Sequence, residues 1–176
     1  MIYLSAISEI PEQIKNSDSQ VIFVLKSLLE KHRLSSPLTN YKSLPELYSD
    51  KNKYNEIVNY LDELVIKFCG RVGAKLNEIH NVELDEKFWR IILMGWLLQY
   101  VHIAFDRYLR LKRAVEIYAA TDVILISYKL RKKLTRTRDG FTEDCAVSED
   151  TVAYFYSLIA KKLGIKVEEF DCTVVE

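Results

Sequence analysis

One apolar stretch, bounded by Arg90 and Asp106, restricts most strongly what this chain can fold into. Its fifteen residues, Ile91 to Phe105, include no acidic, lysine or arginine side chain. As a helix the stretch would be about 22 Å long at 1.5 Å per residue. That is short of the roughly 30 Å hydrocarbon core of a bilayer. We therefore interpret the stretch as a buried helix and predict no transmembrane segment.

Two long helices are predicted around this stretch. Over residues 52–80, apolar residues recur at intervals of three and four. Asp85 is placed to cap a second helix over residues 86–119. Because the break between the two is short, we expect a long antiparallel helical hairpin. Gly70 and Gly73 share one face of the first helix, so either another element crosses closely there or the face is solvated and mildly unstable.

Short strands are predicted near residues 2–7, 21–25 and 121–128, where β-branched and apolar residues cluster. The second run could instead open a helix. A further helix is predicted over 148–163, followed by Gly164 at its end. The fold class expected is therefore mainly α with a few strands, as an α+β or partial α/β arrangement.

Composition fits one mostly helical domain over residues 1–176. Apolar residues make up 49% of the chain, enough for a sizeable core, and the formal net charge is zero. Cys69, Cys145 and Cys172 lack CxxC spacing, so we expect neither a disulfide framework nor a zinc site. The first residues do not resemble a signal peptide. These features together predict a cytoplasmic protein.

Glycine is scarce, and this limits nucleotide binding. The five glycines form neither a GxGxxG nor a GxxxxGK[ST] motif. Phosphate cradles use glycine so that backbone N–H groups can approach the ligand. The usual site for a nucleotide-activated donor is therefore not visible, and we predict no bound cofactor.

Three polar residues are candidates for a binding site at the mouth of the hairpin. Asn77 and His80 are one turn apart, and Arg90 follows soon after the break. Asn and neutral His would hydrogen-bond hydroxyls, and Arg would bind a carboxylate or phosphate. This set suits a sugar or sugar phosphate, and it equally suits a structural network that ties the hairpin together. None of the histidines has metal-binding spacing, so no metal is expected.

Asp106 and Arg107 lie on two different sides of the second helix. Asp106 belongs to a polar stripe, which is either the wet face of a buried helix or the wall of a polar cleft. Arg107 belongs to a stripe with Trp89 and Trp96, which we expect in the core, with Arg107 stacked on an aromatic ring or reaching to solvent.

A basic run over residues 129–138 raises the possibility of nucleic-acid binding. No aromatic residues interleave it, and acidic residues follow closely. We interpret it as a solvated loop and expect no nucleic-acid partner.

The hairpin carries a spaced set of short motifs, which are Leu76-Asn77-x-x-His80, Phe88-Trp89-Arg90, Gly95-Trp96-Leu97 and Asp106-Arg107. In these residues the chain resembles a family of bacterial transferases associated with surface carbohydrate and spore-coat polysaccharide biosynthesis. A weaker match continues through Phe141 and Asp144 towards Gly164, while the first 50 residues match poorly. The resemblance makes Trp89, Gly95 and Trp96 motif positions that we expect to serve packing.

The resemblance also implies a longer protein, with a glycosyltransferase-like part downstream and a nucleotide-activated sugar as its ligand. We therefore expect this chain to be an N-terminal region that is not catalytic alone. The alternative is a non-catalytic helical module. It would bind a partner protein or a missing C-terminal domain through the Gly70/Gly73 face or the acidic tail at 165–176. A third hypothesis is nucleic-acid binding through 129–138.

Overall fold

Five parallel strands form one sheet. The computed structural model describes residues 1–35, 41–118, 123–129 and 148–171. Within these residues the strand order is β3-β2-β1-β4-β5, and every neighbouring pair is parallel. The strands are β1 (Ile2–Ser5), β2 (Gln20–Phe23), β3 (Lys42–Ser43), β4 (Val123–Tyr128) and β5 (Lys166–Phe170).

The helices connect these strands. They are α1 (Glu12–Lys15), α2 (Lys26–Ser35), α3 (Lys51–His80), α4 (Glu86–Tyr118) and α5 (Glu149–Lys162). Contacts divide the chain into two compact units. The sheet unit consists of Met1–Pro45 and Asp106–Glu176, and the helix unit consists of Glu46–Phe105.

The central strands of the sheet unit are apolar because they are buried in its core. All six residues of β4 are buried, as expected for a strand covered on both faces of a parallel sheet. In β1, Leu4 lies opposite Ile22 and Leu125 in the register of the sheet. Leu111 and Ala114, near the end of α4, are buried in the same core.

The helix unit is held by an apolar seam between α3 and α4. Leu61, Val65 and Cys69 of α3 form one buried cluster with Leu97 and Val101 of α4. Helix α3 begins at a capping residue, since the Asp50 carboxylate accepts hydrogen bonds from the backbone N–H groups of residues 52 and 53. It ends at Asn81, whose φ of 51° is left-handed, a conformation that asparagine tolerates better than most residues.

The predicted fold class is wrong. The chain is α/β, because its organising element is the parallel sheet and not a helical hairpin accompanied by a few short strands. The long helices themselves form close to the predicted bounds, and β4 falls within the predicted 121–128. Residue 119 and residues 121–122 lie outside the described part of the chain.

Two strands were missed, and both lie at the edges of the sheet. β3 has only two residues, a lysine and a serine, and neither is apolar. β5 contains the sequence KVEEF, in which polar side chains outnumber apolar ones. An edge strand has a neighbour on one side only, so its sequence carries a weaker apolar signal. Of residues 21–25, the first three belong to β2, and α2 begins at Lys26, directly after this run.

The interpretation of the apolar stretch as a buried helix is also wrong. An 18-residue window of α4 has a mean hydropathy of 1.3, and only 17% of that window is buried. By length and composition, α4 is the one helix in the described ranges that could cross a membrane. The absence of a transmembrane segment stays a prediction.

Candidate functional site at the carboxyl edge of the sheet

A crevice of about 500 Å³ opens at the carboxyl ends of three strands. The chain that follows β1 supplies most of its lining, and the ends of β4 and β5 together with His32 of α2 supply the rest. The lining residues are Ile7, Glu9, Ile10, Pro11, Glu12, Lys15, His32, Tyr128, Phe170 and Asp171. We refer to this feature as the crevice.

The position of the crevice follows from the strand order. From β1 the chain first moves outwards through β2 to β3, and it then returns to place β4 on the other side of β1. The strands that follow β1 and β4, which are β2 and β5, therefore lie on opposite sides of this pair, and in such folds a gap opens where the strand order reverses. In open α/β sheets, ligands bind in such a gap at the carboxyl ends of the strands.

The loop after β1 turns without glycine. The Ser5 hydroxyl donates a 2.6 Å hydrogen bond to the carbonyl oxygen of Ile7, and the Ile7 N–H points back to the same hydroxyl at 3.3 Å. A glycine-rich loop at this place would present backbone N–H groups to a phosphate. Here the buried Ser5 hydroxyl accepts a hydrogen bond from one backbone N–H of the loop, that of Ile7. The loop is therefore not built as a phosphate cradle.

Glu149, in the first turn of α5, fixes this loop. Its carboxylate accepts hydrogen bonds from the Ser8 N–H at 2.5 Å and from the Ser8 hydroxyl at 2.9 Å. The Lys31 ammonium group of α2 lies 2.6 Å from the same carboxylate. One carboxylate therefore joins α2, α5 and the loop after β1, and it sets the position of the crevice wall.

His32 of α2 also fixes the position of the loop after β1. Its ring is buried between Phe23 and Tyr41, with centroid separations of 5.3 Å and 5.1 Å. Its Nδ1 atom lies 2.7 Å from the Ser8 carbonyl oxygen. Because a carbonyl oxygen can only accept, Nδ1 carries the proton in this contact. His32 therefore holds the loop as a donor and is a positioning residue.

Carboxylates dominate the charge of the crevice. Glu9, Glu12 and Asp171 line it together with one lysine, Lys15. The Lys15 ammonium group is already 2.7 Å from the Glu12 carboxylate. A crevice of this charge favours hydroxyl donors over phosphate anions.

Asn77 is placed in a structural network. Its side chain donates to the carbonyl oxygen of Leu84 at 2.8 Å and accepts from the Leu84 N–H at 3.2 Å. It also accepts from the indole Nε1–H of Trp89 at 2.9 Å. These bonds close the turn between α3 and α4, as the structural alternative for this residue expected.

His80 and Arg90 do not join that network. His80 is exposed at the end of α3, and its side chain makes no hydrogen bond with the part of the chain that is described. Arg90 is exposed and borders a hollow on α4. Its positive charge also acts on Cys69, where burial raises the pKa of the thiol and Arg90 opposes that rise. A shared site of Asn77, His80 and Arg90 therefore stays a prediction.

Asp106 and Arg107 lie in the sheet unit, next to α5. Asp106 accepts from Arg107 Nη1 at 2.5 Å and from Arg110 Nε at 3.0 Å, and all three side chains are between 14% and 18% exposed. The guanidinium carbon of Arg107 lies 5.3 Å from the ring centroid of Tyr156, within cation–π range. The expected stacking of Arg107 on an aromatic ring is confirmed.

The motif tryptophans differ in environment. Trp89 is buried and packs against Gly73, where an added Cβ would lie 2.6 Å from the ring. Trp96 is partly exposed and stacks on Tyr100, with centroids 5.1 Å apart and rings 9° from parallel. Gly95 is exposed. A packing role is therefore evident for Trp89, and the close crossing proposed at Gly73 is confirmed.

Sequence reasoning missed the crevice. Glu9, Glu12 and Asp171 carry no motif, and their common location depends on pairings between strands distant in sequence. One signal was available: the acidic and serine-rich run after the first predicted strand marks the usual binding loop of an α/β sheet. Recognising it required the parallel sheet first.

Metal binding has no evident site in the described ranges. No group of three or more histidine, cysteine or acidic residues there lies close enough to hold a metal ion.

Tyr156 offers a test of the packing beside Asp106 and Arg107. Burial raises the pKa of the Tyr156 hydroxyl well above its ordinary value, and the nearby Arg107 charge offsets this only in part. The unfolded chain ionises this tyrosine near its ordinary pKa, whereas the folded chain keeps it neutral. Stability from this group is therefore full below pH 10 and falls above it, by at most about 1.4 kcal/mol per pH unit.

We expect Tyr156→Phe to flatten the loss of stability between pH 9.5 and pH 11, as measured by urea unfolding. Tyr108→Phe, at a tyrosine of α4 that is only partly buried, is the matched control. An unchanged pH dependence in Tyr156→Phe would contradict the burial of this hydroxyl.

The fold and the crevice define a class of protein: a parallel α/β protein with a polar crevice at the topological switch point of its sheet. A family model described as the LIC12162 family transferase matches residues 4–174, so the chain belongs to that family. This confirms the expected transferase family, while the association with surface carbohydrate stays a prediction. Comparisons with curated proteins and with solved structures give no match.

Proposed function

We propose that this transferase acts in bacterial surface polysaccharide biosynthesis, moving a sugar from an activated donor to a hydroxyl acceptor. In this proposal the crevice binds the hydroxyl-rich part of a substrate. The observation that supports it most is the set of three carboxylates, Glu9, Glu12 and Asp171, at the carboxyl edge of a parallel sheet. Family membership supports the transfer reaction in general.

Carboxylates suit sugars because each oxygen accepts hydrogen bonds from hydroxyl groups, and one carboxylate can accept from two neighbouring hydroxyls. The cations nearby are engaged by these acids: Lys15 pairs with Glu12, and Lys129 lies 3.4 Å from Asp171. The crevice therefore attracts a neutral polyol better than a diphosphate. A donor's phosphate groups would bind outside it.

Saturation-transfer NMR with the full chain tests this. The probes are a free hexose, a nucleoside diphosphate and the corresponding nucleotide-activated hexose. We expect saturation on the hexose protons of the free hexose and of the nucleotide-activated hexose. Glu9→Gln and Asp171→Asn are each expected to weaken sugar binding about tenfold, since each replaces a charged acceptor by a neutral one.

Glu116→Gln is the control, because Glu116 is an exposed acid of the same unit that does not line the crevice. Tight binding of the nucleoside diphosphate alone, unaffected by the two crevice variants, would count against the assignment of the crevice to a sugar. Equal loss in Glu116→Gln would show that only net charge matters.

The alternative of a non-catalytic helical module loses one of its surfaces. Gly73 is covered by Trp89 of the neighbouring helix, so this part of the glycine face is not available to a partner. Much of the acidic tail forms β5, and residues 172–176 lie outside the described residues. Residues 130–138 of the basic run also lie outside them, so the absence of nucleic-acid binding stays a prediction.

We further propose a cytoplasmic location. Cys69 is a free, buried thiol, which suits a reducing compartment.

A further inference from the structure

We propose that the helix unit binds the surface of a membrane that carries anionic headgroups, through one side of α4. The inference does not depend on the crevice or on the proposed reaction. We refer to the side concerned as the apolar face, and it consists of Phe88, Ile91, Ile92, Trp96 and Leu98.

The apolar face is exposed although its residues are large and hydrophobic. Ile91 is 76% exposed and Ile92 is 54% exposed, and the other three are 37–40% exposed. At about 100° per residue all five fall within an arc of about 160°, so they lie on one side of the helix. Contiguous exposed apolar surface of this kind marks an interaction site rather than ordinary solvent exposure.

The opposite side of the same helix is already occupied. Leu97 and Val101 are buried and share an apolar cluster with α3. The helix is therefore apolar on both sides, with only one of them packed inside the helix unit. A helix that is apolar all round is found in a protein core or in contact with lipid.

The positive charges beside the apolar face favour a partner that carries negative charge. Lys87 and Arg90 line an open hollow together with Ile91 and Met94, so two cations adjoin the apolar face. From residue 87 to residue 105 the sequence contains these two basic residues and no acidic one.

The acidic residues just before this segment are engaged elsewhere. The Asp85 carboxylate caps α4 by accepting from the Phe88 N–H at 2.7 Å. The Glu86 carboxyl lies 3.9 Å from the Cβ position of Gly70 and so points to α3. Neither carboxylate would therefore repel a negatively charged surface that approaches Ile91.

An anionic bilayer would bind both the apolar face and the two cations beside it. Apolar side chains of an interfacial helix enter the boundary between headgroups and acyl chains, while lysine and arginine reach the headgroups. Partly exposed tryptophan, such as Trp96, is favoured at that depth.

The helix would lie on the membrane rather than cross it. Its uncharged run is about 22 Å long, short of the roughly 30 Å hydrocarbon core. Further along α4, Leu111 and Ala114 are fully buried in the core of the sheet unit. A span would remove Leu97 and Val101 from their contacts with α3.

Vesicle sedimentation with the full chain tests the proposal. We expect the protein to bind vesicles of phosphatidylcholine mixed with phosphatidylglycerol, and to bind pure phosphatidylcholine vesicles much more weakly. Binding should fall with added salt and should shift tryptophan emission to shorter wavelength, and Trp96→Phe should remove most of that shift. The double variant Ile91→Ser/Ile92→Ser is expected to weaken binding at least about tenfold.

Leu158→Ser is the matched control, since Leu158 is an exposed leucine of α5 in the other unit. Circular dichroism checks that each variant is folded. Lys87→Gln/Arg90→Gln should reduce the preference for anionic vesicles.

Four results would overturn the proposal: no vesicle binding, equal binding to both kinds of vesicle, undiminished binding by the isoleucine double variant, or resistance to alkaline extraction, which indicates a span. If vesicles do not bind while the isoleucine variant dissociates an oligomer in sedimentation equilibrium, the face takes a second copy of the chain. Loss of vesicle binding with sugar binding intact would separate this inference from the proposed function.

Discussion

Asp106→Ala is expected to lower the free energy of unfolding by about 2–4 kcal/mol. The substitution removes the carboxylate that accepts hydrogen bonds from both Arg107 and Arg110. All three side chains are mostly buried, so the two guanidinium groups would be left close together in a poorly solvated place. Breaking such a pair costs more than the pair contributes, because the remaining charge is uncompensated. Urea unfolding at neutral pH measures the change.

Glu116→Ala is the control for Asp106→Ala, since it removes an exposed acid from the same helix. We expect it to change stability by less than about 0.5 kcal/mol. Adding Arg110→Ala to Asp106→Ala should recover part of the loss, because it removes one of the two cations that lose the Asp106 carboxylate. A loss in Asp106→Ala as small as in Glu116→Ala would contradict the buried cluster.

Gly73→Ala is expected to lower the free energy of unfolding by about 1–3 kcal/mol, although alanine is the better helix former. The added Cβ would lie 2.6–2.8 Å from three atoms at the root of the Trp89 side chain. These atoms cannot move without shifting the indole, which is anchored to Asn77 by its Nε1–H. Overpacking of this kind costs about 1–3 kcal/mol or more.

Gly70→Ala supplies a comparison one turn earlier on the same helix. There the nearest atoms to an added Cβ belong to Glu86 and lie 3.9 Å away, an ordinary contact. We therefore expect Gly70→Ala to raise stability, by up to about 1 kcal/mol, through helix propensity alone. Opposite signs in thermal or urea unfolding would support the close approach of α4 at Gly73, and stabilisation by both substitutions would rule it out.

Local patterns predicted the helices well because their information is local. The regular spacing of apolar residues located α3, and Asp85 was correctly identified as the capping residue of α4. Gly164 was correctly placed after α5, where its φ of +74° ends the helix. In each case a few neighbouring residues determine the structure, so one sequence is sufficient.

The sheet could not be derived in the same way. β1 pairs with β4, and Ile2 lies opposite Val123 although more than a hundred residues separate them. Nothing near either residue records the other. The edge strands β3 and β5 were hidden further by their short length and polar composition.

The residues of the candidate site also differ in whether the sequence could predict their contacts. Asn77 was singled out from its neighbours, and its bonds to Leu84 and Trp89 are all within twelve residues. The crevice instead joins the loop after β1 to Asp171, and Glu149 reaches Ser8 from the far end of the chain. Side chains brought together by distant strand pairing leave no spacing that a sequence could show.

The same long connection between β1 and β4 has a consequence for synthesis on the ribosome. At about 5–20 residues per second, β4 emerges on the order of ten seconds after β1 and β2. During that interval β1 has its partner on one side, while its other edge is open. Residues 46–105, whose contacts are local, can fold while that edge of β1 is still unpaired. A nascent chain stalled between residues 105 and 123 should therefore be the species most prone to strand-edge aggregation and chaperone binding.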